Sequence, residues 1–304
     1  MPQPKNTNRA LEEFDDYAWL IGRDADRILG DCVDDERPLH QRIAGLRKTI
    51  SADRARLVVQ QVELRRRART KFGALAARLF FLARQLEQAT DIWIARYKAA
   101  RLANAGPIAD FCCGIGGDLL ALAERESACG WDFDRTAALL AEANLARFGE
   151  VAANSRVRCA DVSEAALDEH AAWHLDPDRR ASGERRTRVE SYQPGATQIQ
   201  RWLQTAPHAA VKLAPAAAVP QGWTRNSELE WISRGGECRQ QIVWSGRFAR
   251  EPGRRRATTI QVDAHGGWRS ASVVGATGVV VEPARKPESV ICEPDPAIVA
   301  AGLT

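Results

Sequence analysis

The sequence predicts an α/β protein, a doubly wound and mainly parallel sheet preceded by an all-helical N-terminal domain. Three observations predict it. From Leu11 to about Ala103, apolar residues recur at spacings of three and four with few Gly or Pro, the period of packed helices. After Pro107, short apolar runs alternate with helical stretches, the pattern of parallel strands joined by helical crossovers. Between the two, Asp110 ends the first such run, and DFCCGIGGD turns straight into a helix, where sheets of this kind hold a ligand.

Each element follows in order. One helix ends before Arg37-Pro38, because a residue preceding proline leaves the helical region. A long helix spans 52–69, with Leu57, Val58, Gln61 and Leu64 along one side, and another spans 71–86. Thr90 stands where an N-cap belongs, and Asp91 in the first turn favours the helix dipole ahead of a buried face of Ile92, Ala95, Ala99 and Leu102. That helix stops near Gly106-Pro107. Strands are expected at 108–111, 128–133, 155–159, 172–175 and 209–213, with helices at 118–125 and 136–148. Runs 228–233 and 240–245 flank Gly235-Gly236 and form a hairpin, an antiparallel pair closing the parallel sheet. Two further strand-like runs, 257–262 and 272–281, lie among Gly and Pro. The expected divisions are 1–103, helical; 104–250, the nucleotide-binding sheet; and 251–304, a β-rich extension.

Composition sets the class. A chain of 304 residues with 45% hydrophobic and 27% charged residues buries a core without staples and is not disordered. Its longest apolar runs, such as 79–83, fall far short of the roughly 20 residues of a membrane span, and 1–10 is polar. Seven cysteines, with no C-x-x-C pair and no histidine at ligand spacing, argue for a reduced, cytoplasmic chain without a metal site. The net charge of +4 sums large opposing blocks: +9 over 54–101, −9 over 102–178 and +10 over 179–286. Two basic stretches around an acidic centre suit a polyanion gripped on both sides of a site that prefers a cation, although solvated arginine faces give the same pattern.

The acidic centre carries the chemistry. Gly114 and Gly116 let the backbone approach a ligand at a helix N-terminus. The spacing departs from the dinucleotide fingerprint, and a carboxylate at Asp110 repels a phosphate but suits an ammonium and a sulfonium, which points to S-adenosyl-L-methionine. Asp132, at the end of the second strand, can accept from both ribose hydroxyls, and Asp161, after the third, from the adenine amino group. His174, Cys112 and Cys113 read as packing residues, and Trp223, Trp231 and Trp244 as packing for the late sheet.

At LEQAT, YKAARLA, DFCCGIGGDLLALA, WHLDPDRR, VKLAPA, ELEWIS, GECRQQIVW and EPDPAIVAAGL the sequence resembles the class I S-adenosylmethionine-dependent methyltransferases. In detail it is similar to the bacterial ones that carry a THUMP-like domain at the C-terminus. The resemblance implies a Rossmann-like sheet in which Asp110, Gly114 and Gly116 form the first cofactor motif, Asp132 the ribose acceptor and Asp161 the adenine acceptor, with Thr90 at the methionine end. It implies that 251–304 begin a THUMP-like region cut short at Thr304. Cys112 replaces a usual glycine, which the chain tolerates if that position avoids positive φ.

Asp176 and Pro177 lie at the tip of the fourth strand, where methyltransferases acting on exocyclic amines of bases carry an acidic or amide residue followed by two prolines and an aromatic. DPDRR keeps the acceptors and lacks the stacking residue, which leaves Trp173, Tyr192 or an arginine plane for that role. Arg179, Arg180, Arg185, Arg186 and Arg188 are either a phosphate grip or a solvated loop. The leading expectation is N-methylation of a nucleic-acid base, with RNA the partner. Methylation of a small molecule or protein, and a non-catalytic RNA-binding module, are the alternatives.

Overall fold

The structure, a computed structural model, describes residues 4–178, 189, 192–276 and 292–303, with side chains not described for 4–10 and 168. Six helices come first: α1 (Pro4–Leu20), α2 (Arg23–Asp31), α3 (Leu39–Leu46), α4 (Ala52–Phe72), α5 (Ala83–Gln88) and α6 (Ile92–Leu102). The sheet then builds through β1 (Ile108–Phe111), α7 (Gly117–Ala123), β2 (Ala128–Asp132), α8 (Arg135–Ala146) and β3 (Arg156–Cys159). It continues with β4 (Ala172–Leu175), α9 (Ala196–Thr205), β5 (Ala209–Leu213), α10 (Gln221–Thr224), β6 (Ser227–Arg234) and β7 (Glu237–Ser245). Two strands, β8 (Arg255–Val262) and β9 (Trp268–Gly275), and a short α11 (Pro296–Ala301) follow. Among the described residues no helix is long and apolar enough to cross a membrane.

All nine strands form one sheet in the order β3-β2-β1-β4-β5-β7-β6-β8-β9. The first five in that order are parallel, and β7 enters antiparallel between β5 and β6. The hairpin turn is Gly235-Gly236, both at positive φ, which matches the twist of the strands it joins. The sheet passes without a break across the boundary expected at 250/251, because β8 pairs with β6 and β9 with β8. The chain winds from β1 outward to β3 and then back past β1 to β4, so a crevice opens at the C-terminal ends of β1 and β4.

Each face of the sheet has its own core. On one, α7 and α8 share a continuous apolar cluster with the N-terminal helices through Leu20, Val58, Phe72, Phe80, Phe81 and Ile92. On the other, Phe111, Trp173 and Trp202 stack at 5.5–6.2 Å between ring centroids, beside Trp223 and Trp231. The three late tryptophans are all buried in these cores, as expected.

Two helical expectations fail for identifiable reasons. The helix expected at 71–86 does not form: α4 runs on to Phe72 and stops at Gly73, whose φ of 55° lies outside the helical region. Beyond a short 3₁₀ turn, Phe80 gives its N–H and C=O to the buried Asn144 side chain, and Phe81 N–H meets the Gln61 amide, so this backbone is satisfied from outside. Only 83–88 closes into a helix, α5. At α6 the N-cap is Asp91, which accepts from Ile94 N–H at 3.0 Å, and not Thr90.

Candidate active site

A cavity of about 510 Å³ opens at the crevice, and the sequence-predicted Thr90, Asp110, Gly114, Asp132, Asp161, Asp176 and Pro177 all line it. Gly116 stands behind the wall as the N-cap of α7 with φ 89°, a conformation open to glycine, and turns the loop into the helix. Cys112 departs from expectation. Its φ is 58°, so this non-glycine residue does occupy the left-handed region. Burial first, then four surrounding carboxylates, push its thiol well above the usual range, which leaves it inert.

The register of β1 on β4 sets Asp110 beside His174, and from there a buried polar chain runs beneath the cavity. Asp110 Oδ1 lies 2.7 Å from His174 Nδ1, His174 Nε2 3.0 Å from Lys98 Nζ, and Lys98 Nζ 2.6 Å from Asp118 Oδ1. Thr90 Oγ1 then donates to Asp118 Oδ2 at 2.7 Å. A neutral imidazole that donates from Nδ1 and accepts the ammonium proton at Nε2 satisfies both contacts. Burial opposes ionisation of Asp118, but the neighbouring cations, Lys98 foremost, outweigh it and hold that carboxyl below its ordinary range. Asp110 is raised by burial, and its Oδ2 has no partner among the described residues.

The second carboxylate sits higher on the wall. Asp132 accepts from Gly114 N–H at 2.8 Å and Asp134 N–H at 2.9 Å, and burial pushes it up to about 6. Asp161 is exposed and caps a short 3₁₀ turn through Ser163 N–H. Phe133, beside Asp132, lies on the cavity wall with 69% of its surface exposed, an apolar ring available for stacking.

Asp176 forms an ion pair with Lys212 of β5, whose ammonium also donates to Gln88 O at 3.4 Å. Lys212, Lys98 and Asp118 went unweighed in the sequence. A lysine inside the apolar run AVKLA was a usable signal, since buried lysines are rare unless paired. Trp173 and Tyr192, expected to be able to stack on a base, are 1% and 2% exposed and cannot meet a ligand. Trp173 instead donates from Nε1 to Ala206 O. Arg179, Arg180, Arg185, Arg186 and Arg188 lie outside the described residues.

A doubly wound sheet with a glycine turn after β1 and carboxylates at the ends of β1 and β2 and after β3 suits a nucleoside ligand, and the chemistry of the cavity suits S-adenosylmethionine. The unpartnered Asp110 oxygen and the acidic wall accept cations, and the positive-φ glycines leave room beside the backbone. No family model matches the chain. It is 34% identical over 260 residues, 83% of its length and 68% of theirs, to proteins of Mycobacterium tuberculosis strains CDC 1551 and H37Rv, each described as an uncharacterized S-adenosylmethionine-dependent methyltransferase. Its fold is similar to the crystal structure of a protein from Porphyromonas gingivalis W83 assigned as a methyltransferase, with TM-score 0.74, 18% identity, and 91% of this chain and 71% of that one covered. The chain belongs to the S-adenosylmethionine-dependent methyltransferases, and S-adenosylmethionine is its cofactor.

Proposed function

We propose that the protein methylates an amino nitrogen of a nucleic-acid base, RNA in preference to DNA. One observation carries the reading. Asp176 stands at the tip of β4 with one carboxylate oxygen on Lys212 and the other without a partner among the described residues, on the wall of the cavity that Asp110 and Thr90 also line. An acceptor so placed suits an N–H donor brought to the methyl site.

In this reading Asp110 and Thr90 meet the methionine end, Asp132 takes the ribose hydroxyls, Asp161 the adenine amino group, and Phe133 stacks on the adenine. Gly114 and Gly116 give the loop its shape. Bound S-adenosylmethionine supplies a methyl group made electrophilic by its sulfonium. Asp176 accepts a hydrogen bond from the target amine, which turns the nitrogen lone pair toward the methyl site and fixes the attack geometry. As the nitrogen gains a bond it becomes more acidic, and its N–H proton leaves through Asp176 to water. Lys212 holds the carboxylate in that orientation. The buried Lys98 and His174 do the same for Asp118 and Asp110.

The basic block over 54–101 supports a polyanionic acceptor. Incubation with methyl-labelled cofactor and total RNA, followed by digestion to nucleosides, tests the reading. N-methylated nucleosides carrying the label are expected. Label confined to protein or small-molecule extracts would point to a different acceptor class.

A further inference from the structure

A second cavity, of about 470 Å³, lies on the helical part of the molecule between α4 and the connection that follows α2. Arg65, Arg66 and Arg69 of α4 line one side, and Asp34 and Glu36 the other. Arg65 is 9% exposed; its Nε donates to Leu79 O at 2.9 Å, its guanidinium lies over the Phe80 ring, and its Nη2 has no partner among the described residues. Among the described residues no carboxylate pairs with it, and burial pushes it down to about 10. The charge of Asp26, which forms no ion pair with Arg65, offsets only part of the cost of that burial, and a ligand bringing negative charge would offset the rest. Arg66 is already occupied by Glu63 Oε1 at 3.0 Å and Val33 O at 2.9 Å. The Arg69 side chain makes no hydrogen bond or ion pair among the described residues and follows Arg65 by four residues, so the two stand on one face of α4.

We infer that this cavity binds a backbone phosphate of a ribonucleotide chain, gripped by Arg65 and Arg69; the inference rests on RNA being the acceptor. Two guanidiniums one helical turn apart match a phosphate, which takes planar donors in pairs. The exposed carboxylates of Asp34 and Glu36 repel a bare anion but accept a hydroxyl proton. A phosphate flanked by 2′-hydroxyls satisfies both walls, which favours RNA over DNA. The same helix reaches the active site. Two residues beyond Arg69, Lys71 Nζ donates to the carbonyls of Leu86, Glu87 and Ala89 at the end of α5, and Gln85 and Gln88 of α5 line the cofactor cavity.

The test is fluorescence anisotropy of the full chain with a labelled single-stranded RNA oligomer over a salt series, for wild type, Arg69→Ala and Arg65→Met. Arg69→Ala should weaken binding about five- to tenfold and flatten the log-log salt slope by about 0.7, the share of one phosphate contact on a single strand. Its affinity for S-adenosylhomocysteine should stay unchanged. The DNA oligomer of the same sequence should bind several-fold more weakly, and equal binding overturns the ribonucleotide assignment. If wild type binds RNA and both variants bind it equally well, the cavity assignment is wrong while the RNA reading stands. If wild type binds no RNA, the RNA reading fails and ribose 5-phosphate, which brings no adenine to the cofactor cavity, decides the second cavity. Millimolar ribose 5-phosphate that raises the melting temperature of wild type but not of Arg69→Ala upholds the site, and equal shifts overturn it.

Discussion

At the scale of single residues, burial decides what the acidic side chains can do. Asp132 is raised to about 6 mainly because it is desolvated, against two backbone hydrogen bonds that favour its charge. Between the ordinary carboxyl range and that value the folded state holds the proton more tightly than the unfolded chain, so this group's contribution to stability declines as pH rises through the window. The proposed ribose contact needs the ionised form. Affinity for S-adenosylhomocysteine, followed by calorimetry from pH 8 down to 5, should therefore fall below pH 6 and approach tenfold per unit. Asp132→Asn should remove that dependence and weaken binding by about 1.5–3 kcal/mol. A flat profile in wild type would place the ribose elsewhere. Asp176 poses a different problem, because Lys212 is 6% exposed and depends on it for charge. Asp176→Ala leaves that ammonium buried and unpaired and should cost about 3–5 kcal/mol of stability, whereas Asp176→Asn keeps a hydrogen-bonding partner in place and should cost less. Urea denaturation of the two variants checks this, and equal stabilities would contradict the pairing.

Arg101 shows how elements are fastened together. From α6 it donates to Glu228 Oε2 at 2.7 Å, Glu230 Oε2 at 3.1 Å and Phe248 O, and its guanidinium lies 4.3 Å from the Trp244 ring centroid. This ties the helix before the sheet to the β6–β7 hairpin inside it. Arg101→Met should cost about 3–5 kcal/mol, since Glu228 and Glu230 lose a shared cation in a buried site. A loss below about 1 kcal/mol by chemical denaturation would mean that Arg256, Tyr97 and Thr258 hold the two glutamates without it. Strands β1 to β6 and β8 were legible within a residue or two and β7 within three, because alternating apolar runs and Gly-Gly turns are local signals. The break in 73–82 was not. Its causes are Asn144 and Gln61, which lie far along the chain and satisfy the backbone only once the cores close. For the same reason the sequence located Asp110, Asp132 and Asp176 through strand-end spacing but missed Lys98 and Lys212, whose meaning depends on which carboxylate each one meets.

For the whole molecule, the alternating charge blocks acquire a layout. The acidic 102–178 block supplies the carboxylates of the cofactor cavity, while α4 from the basic block packs behind α5 on its rim. A polyanion attracted by the basic surface should bind with strong salt dependence, each phosphate contact on a single strand adding about −0.7 to the slope. A salt-independent affinity would favour a small-molecule acceptor. The central claim is that Asp176 presents an amine of RNA to the methyl group without taking part in holding the cofactor. Single-turnover methyl transfer to RNA by wild type and Asp176→Asn, with a cofactor titration on the same samples, tests it most directly. Asp176→Asn should keep its S-adenosylmethionine affinity within about 0.5 kcal/mol and slow transfer by about 10²- to 10⁴-fold. Transfer at the wild-type rate, or loss of cofactor binding in a folded variant, would contradict it.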